Sequence, residues 1–403
     1  MDKSINSCFA EFFQPYVAAA KVLAVDKNFR LSDPMTGPRY TPLVASLPST
    51  VPFVGPEVQE RARGGAFAAR IGANENVFGP SPKAIEAMRN ADPDMWMYAD
   101  PTNHDLINGL AAHHGVRPEN IMVGEGIDGM LGYLVRMLVE PGDAVVTSEG
   151  AYPTFNFHVA GYGGILHKVP YKGDSEDPEA LFAKAAEVDA KLVYLANPDN
   201  PMGTSLKGED ILKAMEMLPA GTLFILDEAY IEFAPEGIAA RIDINEPRVI
   251  RFRTFSKAYG MAGARVGYAL AAEPLITAFN KIRNHFGMNR SAQIGALAAL
   301  QDQDWLAQTV ANVEAARAEI DRIARSNGLS TVPSATNFVA IDCGADGDFA
   351  RKVLANLIEA GIFVRMPFVA PQDRCIRVSC GKPEDLAALE AALPTALEKA
   401  QAG

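Results

Sequence analysis

Short apolar runs that break off in polar turns organise the middle of this chain. Asn120–Val123, Ala144–Ser148, Lys191–Ala196, Thr222–Leu226, Arg248–Phe255 and Val266–Leu270 are of strand length and rich in Val, Ile, Leu and Phe. Such runs, with no polar face, are the pattern of strands buried on both sides. Helical stretches precede and separate them, among them Pro82–Arg89 behind a Gly-Pro-Ser-Pro turn and one that runs to about Val139. Further on, Leu306, Val310, Val313, Ala316, Ile320 and Ile323 fall at helical spacing and predict a long helix over Asp304–Arg325. Asn337–Ile341, Asp348–Ala360, Ile362–Arg365, Cys375–Ser379 and a last helix from Pro383 then give the order β-α-β-β-α. Strands alternating with helices predict an α/β fold. We expect a large α/β domain over 71–300 and a small α+β domain over 301–403. Residues 1–70 form an N-terminal extension. Its Cys8–Val25 stretch has the spacing of an amphipathic helix, and Pro34, Pro38, Pro42, Pro48, Pro52 and Pro56 predict an extended arm.

Composition narrows the function classes. The 403 residues are 48% hydrophobic and 21% charged, enough for a large enzyme-like core. A net charge of −12 argues against nucleic acid or anionic membrane as a partner. Glu11, Gln14, Pro15 and Lys21 interrupt Phe9–Val25, which therefore suits neither a signal segment nor a membrane span. Cys8, Cys343, Cys375 and Cys380 show no metal or redox spacing, and the His113-His114 pair lacks acidic company. A cytoplasmic protein without a metal is the expectation.

The chemistry concentrates after Arg248–Phe255, in Thr254-Phe255-Ser256-Lys257 and the arginine that follows, Arg265. A lone lysine among small residues suits Schiff-base formation, and two hydroxyls with one planar guanidinium suit a phosphate. Upstream, Gly124-Glu125-Gly126-Ile127-Asp128-Gly129 joins a strand to a helix, with Glu149 after the next strand. This satisfies a dinucleotide fingerprint on paper, and a nicotinamide-dependent dehydrogenase is the rival it raises. An anion at a helix N-terminus is common to both readings. Asp227 ends the most apolar strand, and Asn197-Pro198-Asp199-Asn200-Pro201-Met202-Gly203 makes a rigid turn after another. Arg377 lies inside an apolar strand, where a buried cation needs an anion, either a structural carboxylate or a substrate.

Taken in order, these motifs resemble the fold-type I pyridoxal-phosphate (PLP) enzymes, and among them the class I and II aminotransferases. Gly72-Ala73-Asn74-Glu75-Asn76-Val77-Phe78-Gly79-Pro80-Ser81-Pro82 resembles the entry segment of histidinol-phosphate aminotransferases, with Val77-Phe78 in place of the usual Pro-Tyr. The resemblance covers about residues 70–390 and implies an aspartate aminotransferase-like α/β fold, whose large domain has a mainly parallel seven-stranded sheet. It implies that Lys257 carries PLP and moves the substrate proton, and that Asp227 pairs with the pyridine nitrogen. It implies that Asn200 and Tyr230 meet the 3-oxygen and Tyr152 covers the ring. Gly126, Ile127, Asp128, Thr254, Ser256 and Arg265 hold the phosphate, joined by Tyr98 from a second subunit of a homodimer. Arg377 grips a substrate carboxylate, and Arg365 matches an arginine that the family applies to a substrate phosphate. The substrates implied are an amino acid or histidinol phosphate and a 2-oxo acid. Two departures stand out: Met202 replaces a threonine, and Phe53 stands where a phosphate-reaching tyrosine is usual. Transamination of aromatic or other amino acids, and decarboxylation as in threonine-phosphate decarboxylases, therefore stay open. A cofactor-binding regulatory domain ranks low, because no DNA-binding segment precedes the PLP region.

Overall fold

The structure, a computed structural model, describes residues 38–49 and 54–402. The chain divides into two compact units, Met1–Val54 and Gly55–Gly403. In the first, helix α1 (Pro42–Ser46) is capped by Thr41, whose Oγ1 accepts from the Val44 amide. The second unit opens with α2 (Pro56–Arg63). The extended arm expected from proline density is thus interrupted by two helices. Pro42 and Pro56 each occupy the first helical turn, where the missing N–H has no partner to lose. The predicted Cys8–Val25 helix and Phe53 lie outside the described residues.

Seven strands form the central sheet of the second unit: β2 (Ile121–Gly124), β3 (Ala144–Ser148), β4 (Ile165–Val169), β5 (Leu192–Ala196), β6 (Leu223–Asp227), β7 (Val249–Thr254) and β8 (Gly267–Ala271). Their order is β2-β8-β7-β6-β5-β3-β4. Only β8 runs against its neighbours. The mainly parallel seven-stranded α/β architecture is the one the family resemblance implies, and six of its strands are visible as apolar runs. Strand β4 went unpredicted, because an edge strand with a half-exposed His167 and an exposed Lys168 lacks a continuous apolar run. Helix α5 (Gly126–Leu138) lays Met130, Leu131, Leu134 and Val135 on Tyr194, Ile225, Ile250 and Phe252 of the sheet. On another face, α7 (Pro178–Glu187) packs Leu181 and Phe182 against Leu195 and Phe224.

The C-terminal part has its own core. The long helix α11 (Gln303–Ser326) buries Val313, Ala316, Ile320 and Ile323 against β10 (Phe338–Asp342) and β12 (Cys375–Ser379), with the final helix α13 (Pro383–Ala402). Strands β12, β10 and β9 (Ser330–Thr331) form an antiparallel sheet. Predicted strand Ile362–Arg365 is split. Its first residues, β11 (Ile362–Phe363), pair in parallel with β1 (Ala69–Arg70), while Arg365 forms a lone antiparallel bridge to Arg377. Ala69 and Ile71 thereby join the C-terminal core, and the chain leaves that layer straight into the Asn74 turn. No described helix is long and apolar enough to cross a membrane, and no metal-binding cluster occurs among the described residues.

Candidate active site

Sheet register brings the chemistry to one edge. Ala196 is aligned with Asp227, Asp227 with Phe252, and Thr254 with Gly267, which is in turn aligned with Gly124. The carboxyl ends of β2, β5, β6 and β7 therefore open together with the start of β8. In open α/β sheets that edge is where ligands bind.

Lys257 sits in the turn after β7. Its Nζ donates to the Asn74 carbonyl oxygen at 3.1 Å and lies 5.5 Å from the Tyr230 ring centre. Asn74 is buried, with a positive φ of 57° that Asn tolerates better than most residues. Its Nδ2 donates to the Tyr230 hydroxyl at 3.1 Å, its Oδ1 accepts from Ser379 Oγ, and Asn337 Nδ2 also donates to its carbonyl. One residue thus ties the lysine, the tyrosine and the C-terminal sheet together.

Asp227 is buried at the mouth of β6. Tyr194 donates its hydroxyl to it at 2.7 Å and the Ala229 amide donates at 2.9 Å. Burial pushes its pKa up to about 6, against those hydrogen bonds and with a further push from Asp128 and Glu228. The next residue faces away, as strand alternation demands. Glu228 takes Arg251 and Arg253 at 2.9 and 2.8 Å, and although burial opposes its charge, the two guanidiniums hold its pKa below the ordinary value.

Across the sheet edge, helix α5 starts without a side-chain cap, so its first amides have no partner from Glu125. Gly126 has φ 77°, and a Cβ there would lie 2.4 Å from Arg265 Nη2. Arg265, itself at φ 56°, donates to Ser256 Oγ at 3.3 Å and lies 3.7 Å from Asp128, which accepts the Tyr152 hydroxyl at 2.7 Å. Gly126, Ile127, Asp128, Tyr152, Ser256 and Arg265 are therefore brought together. Thr254 belongs to the turn instead. Its hydroxyl donates to the Val266 carbonyl and accepts from the Ser256 amide, which leaves no proton for a phosphate oxygen.

Arg377 is buried on β12. Its Nη1 donates to Asn200 Oδ1 at 2.5 Å, its guanidinium lies 5.1 Å from the Phe338 ring centre, and its Nε has no partner. None of the described ion pairs includes it, and desolvation lowers its pKa. Arg365 lies opposite it in the bridge, with both backbone hydrogen bonds made, so the two side chains leave the same face. Tyr98 is not brought to Lys257 within this chain. It is 79% exposed and packs on Phe286 at 4.6 Å. Sequence reasoning missed Asn74 and Tyr194 as site residues. Asn74 lay inside a quoted motif, and Tyr194 was one hydroxyl in an otherwise apolar strand, the same signal that singled out Arg377.

The sequence matches the family of class I and II aminotransferases over residues 69–393. The chain belongs to that family, and it is a PLP-dependent aminotransferase. Within the family its relatives carry a narrower name. The crystal structure of histidinol-phosphate aminotransferase from Sinorhizobium meliloti, in complex with pyridoxal-5'-phosphate, is 53% identical with a TM-score of 0.87, over 89% of this chain and 98% of that one. Histidinol-phosphate aminotransferase 2 of Carboxydothermus hydrogenoformans is 34% identical over 83% of this chain and 92% of its own length. The enzyme of the same name from Ralstonia nicotianae is 35% identical over 91% and 98%. The residues here fit PLP. An uncapped helix start beside Arg265 and Ser256 calls for an anion, and a buried carboxyl with a raised pKa calls for a proton donor.

Proposed function

We propose that this aminotransferase holds its cofactor and substrates as follows. Lys257 holds the cofactor and is the base of the reaction. Ser256, Arg265 and the first amides of α5, at Gly126, Ile127 and Asp128, hold the phosphate, while Thr254 shapes the turn. Asp227 faces the ring nitrogen, Tyr152 covers the ring, and Tyr230 and the Asn200 Nδ2 donate to the 3-oxygen. When bound, PLP supplies a ring that accepts the electron pair left as the substrate Cα–H bond breaks. Lys257 Nζ, aimed by the Asn74 carbonyl, would take that Cα proton and deliver it to C4′ of the bound cofactor.

The substrate reading rests on Arg365 and Arg377, which leave the same face of one bridge next to Asn200. Two guanidiniums suit the carboxylates of glutamate and 2-oxoglutarate and, in the other half-reaction, the phosphate of histidinol phosphate. The names of the relatives support histidinol phosphate as one of the substrates. An amino-donor panel with 2-oxoglutarate as acceptor tests this. Histidinol phosphate is expected to give the fastest formation of glutamate. A faster aromatic amino acid overturns the assignment, and release of carbon dioxide favours a decarboxylase.

Residues 71–300 act as the large cofactor-binding domain and 301–403 as the small domain, to which β1, at the end of the 1–70 extension, is paired through β11. The enzyme works as a homodimer in the cytoplasm. Trp96, Tyr98 and Phe286 are large apolar side chains left exposed, Tyr98 packed on Phe286, which supports a partner subunit there. Cys343, Cys375 and Cys380 are buried and unpaired, which suits a reducing compartment.

A further inference from the structure

Behind the substrate arginine lies a second group of buried ionisable side chains that the reaction above does not use. Glu176 and Asp199 are 3% and 2% exposed, and their buried carboxyls face each other, Glu176 accepting from the Ala196 amide three residues before Asp199. The oxygens are also engaged by fixed donors. Ser148 Oγ donates to Glu176 Oε2 at 2.5 Å and the Ala196 amide to Oε1 at 2.9 Å. Tyr171 donates its hydroxyl to Asp199 Oδ1 and the Met202 amide donates to Oδ2, both at 2.9 Å. Two carboxylates in dry contact do not both ionise, so this contact holds one proton and one negative charge.

That charge has a use. Asp199 directly precedes Asn200, whose Oδ1 accepts from Arg377, and Arg377 and Asp199 attract one another. The Asp199 amide donates to Thr204 O and the Gly203 amide to Asp199 O, so the carboxyl anchors a closed turn. The loop carrying Glu176 is itself held from the C-terminal part, through Arg374 on Asp174 at 2.9 Å and Gln372 on the Gly173 carbonyl at 2.8 Å. The ionisable groups facing the pair are Tyr171 from the loop after β4, Tyr194 from β5 and Arg377 from β12.

We propose that Glu176 is a positioning residue: sharing one proton with Asp199, it fixes the Asp199–Gly203 turn so that Asn200 and Arg377 form an anion clamp, with Asp199 as the clamp's standing counter-charge. Burial raises the proton affinity of both carboxyls, and the attraction between Arg377 and Asp199 favours the negative charge on Asp199 and the shared proton on Glu176. When alkali removes that proton, two charges repel across the contact and the turn is displaced. The clamp then loses substrate anions while the proton chemistry at Lys257 is left largely intact.

This inference rests on Arg377 and Asn200 holding the substrate anion, and the test separates the two claims. Glutarate binding to the holoenzyme is measured by calorimetry from neutral to alkaline pH, beside KM and kcat for glutamate. Glu176→Gln donates the same hydrogen bond without titrating. It is expected to keep neutral affinity and to flatten the alkaline rise in glutarate Kd and in KM, with kcat within about twofold of the parent. Glu176→Leu breaks the contact and is expected to weaken glutarate about tenfold at neutral pH. Retained visible absorbance of the bound cofactor reports folding, and if the Leu variant fails that check the Gln profile alone decides. A Glu176→Gln profile identical to the parent overturns the proposal. If Arg377→Ala leaves glutarate binding unchanged, the clamp assignment itself falls.

Discussion

The Nζ of Lys257 lies 3.1 Å from the carbonyl oxygen of Asn74, 183 residues earlier in the chain. A backbone acceptor there aims the amine and helps hold it in place. The Asn74 side chain does separate work, on Tyr230 and Ser379. Asn74→Ala keeps the carbonyl but loses those contacts and places an alanine at φ 57°. It is expected to lower stability by about 1–2 kcal/mol in urea unfolding. Asn74→Gly relieves the backbone part alone. If both variants lower kcat equally while differing in stability, the side-chain contacts matter for the reaction. Wild-type kcat in both would remove Asn74 from the site.

Asp227 supplies a pH prediction. Its folded pKa, about 6, stands above the ordinary 3.8, so the cofactor-free protein binds this proton more tightly when folded. The stability this contributes is complete below about pH 4 and is lost as pH rises through about 6, a change of about 3 kcal/mol. Asp227→Asn removes the effect. The stability difference between parent and variant apoprotein should therefore move in the variant's favour across that window, measured by denaturant unfolding at several pH values. A difference that does not change with pH contradicts the buried-acid description. In the holoenzyme the same variant is expected to lose about 10²-fold or more in kcat.

How much of this was legible beforehand depends on what each residue does. Lys257, Asp227 and Asn200 follow the carboxyl ends of buried strands, and both the strands and the polar break are visible as text. Asn74 acts through a carbonyl that every residue has, and its partner is set by β1 joining β11, a pairing that no periodicity announces. Glu176 lies in a loop after the edge strand β4 that the apolar pattern did not reveal, so nothing local marked its burial. Thr254 shows the converse: a hydroxyl beside Ser256 and Lys257 suggested a phosphate, yet its proton goes to the Val266 carbonyl. Side-chain type indicates what a group can do, and the backbone around it decides which partner it finds.

Gly126 is where the start of α5 meets Arg265. A Cβ would lie 2.4 Å from the guanidinium, and φ 77° disfavours any L side chain. Because the obstacle is the end of a flexible side chain, Gly126→Ala should still fold, with Arg265 displaced. Loss of a charge-assisted hydrogen bond to the phosphate is expected to weaken PLP about tenfold or more, read from the absorbance of holoenzyme after dialysis. Undiminished cofactor retention would mean that Arg265 does not hold the phosphate.

Tyr98 gives the test of shared sites. It stands 79% exposed against Phe286, on a turn fixed by Arg283 on the Pro101 carbonyl at 3.0 Å and Gln293 on the Asp100 carbonyl at 2.9 Å. A tyrosine held outward by its own chain, away from its own lysine, suits delivery to a neighbour. If each site combines Lys257 of one subunit with Tyr98 of the other, Lys257→Ala and Tyr98→Ala each give a crippled homodimer. Mixed dimers of the two variants carry one site with both changes and one with neither. Unfolding and refolding them together should therefore restore activity above that of either variant refolded alone. Activity no greater than the average of the two parents would show that Tyr98 serves its own subunit or none. A monomeric mass by light scattering would exclude the shared site outright.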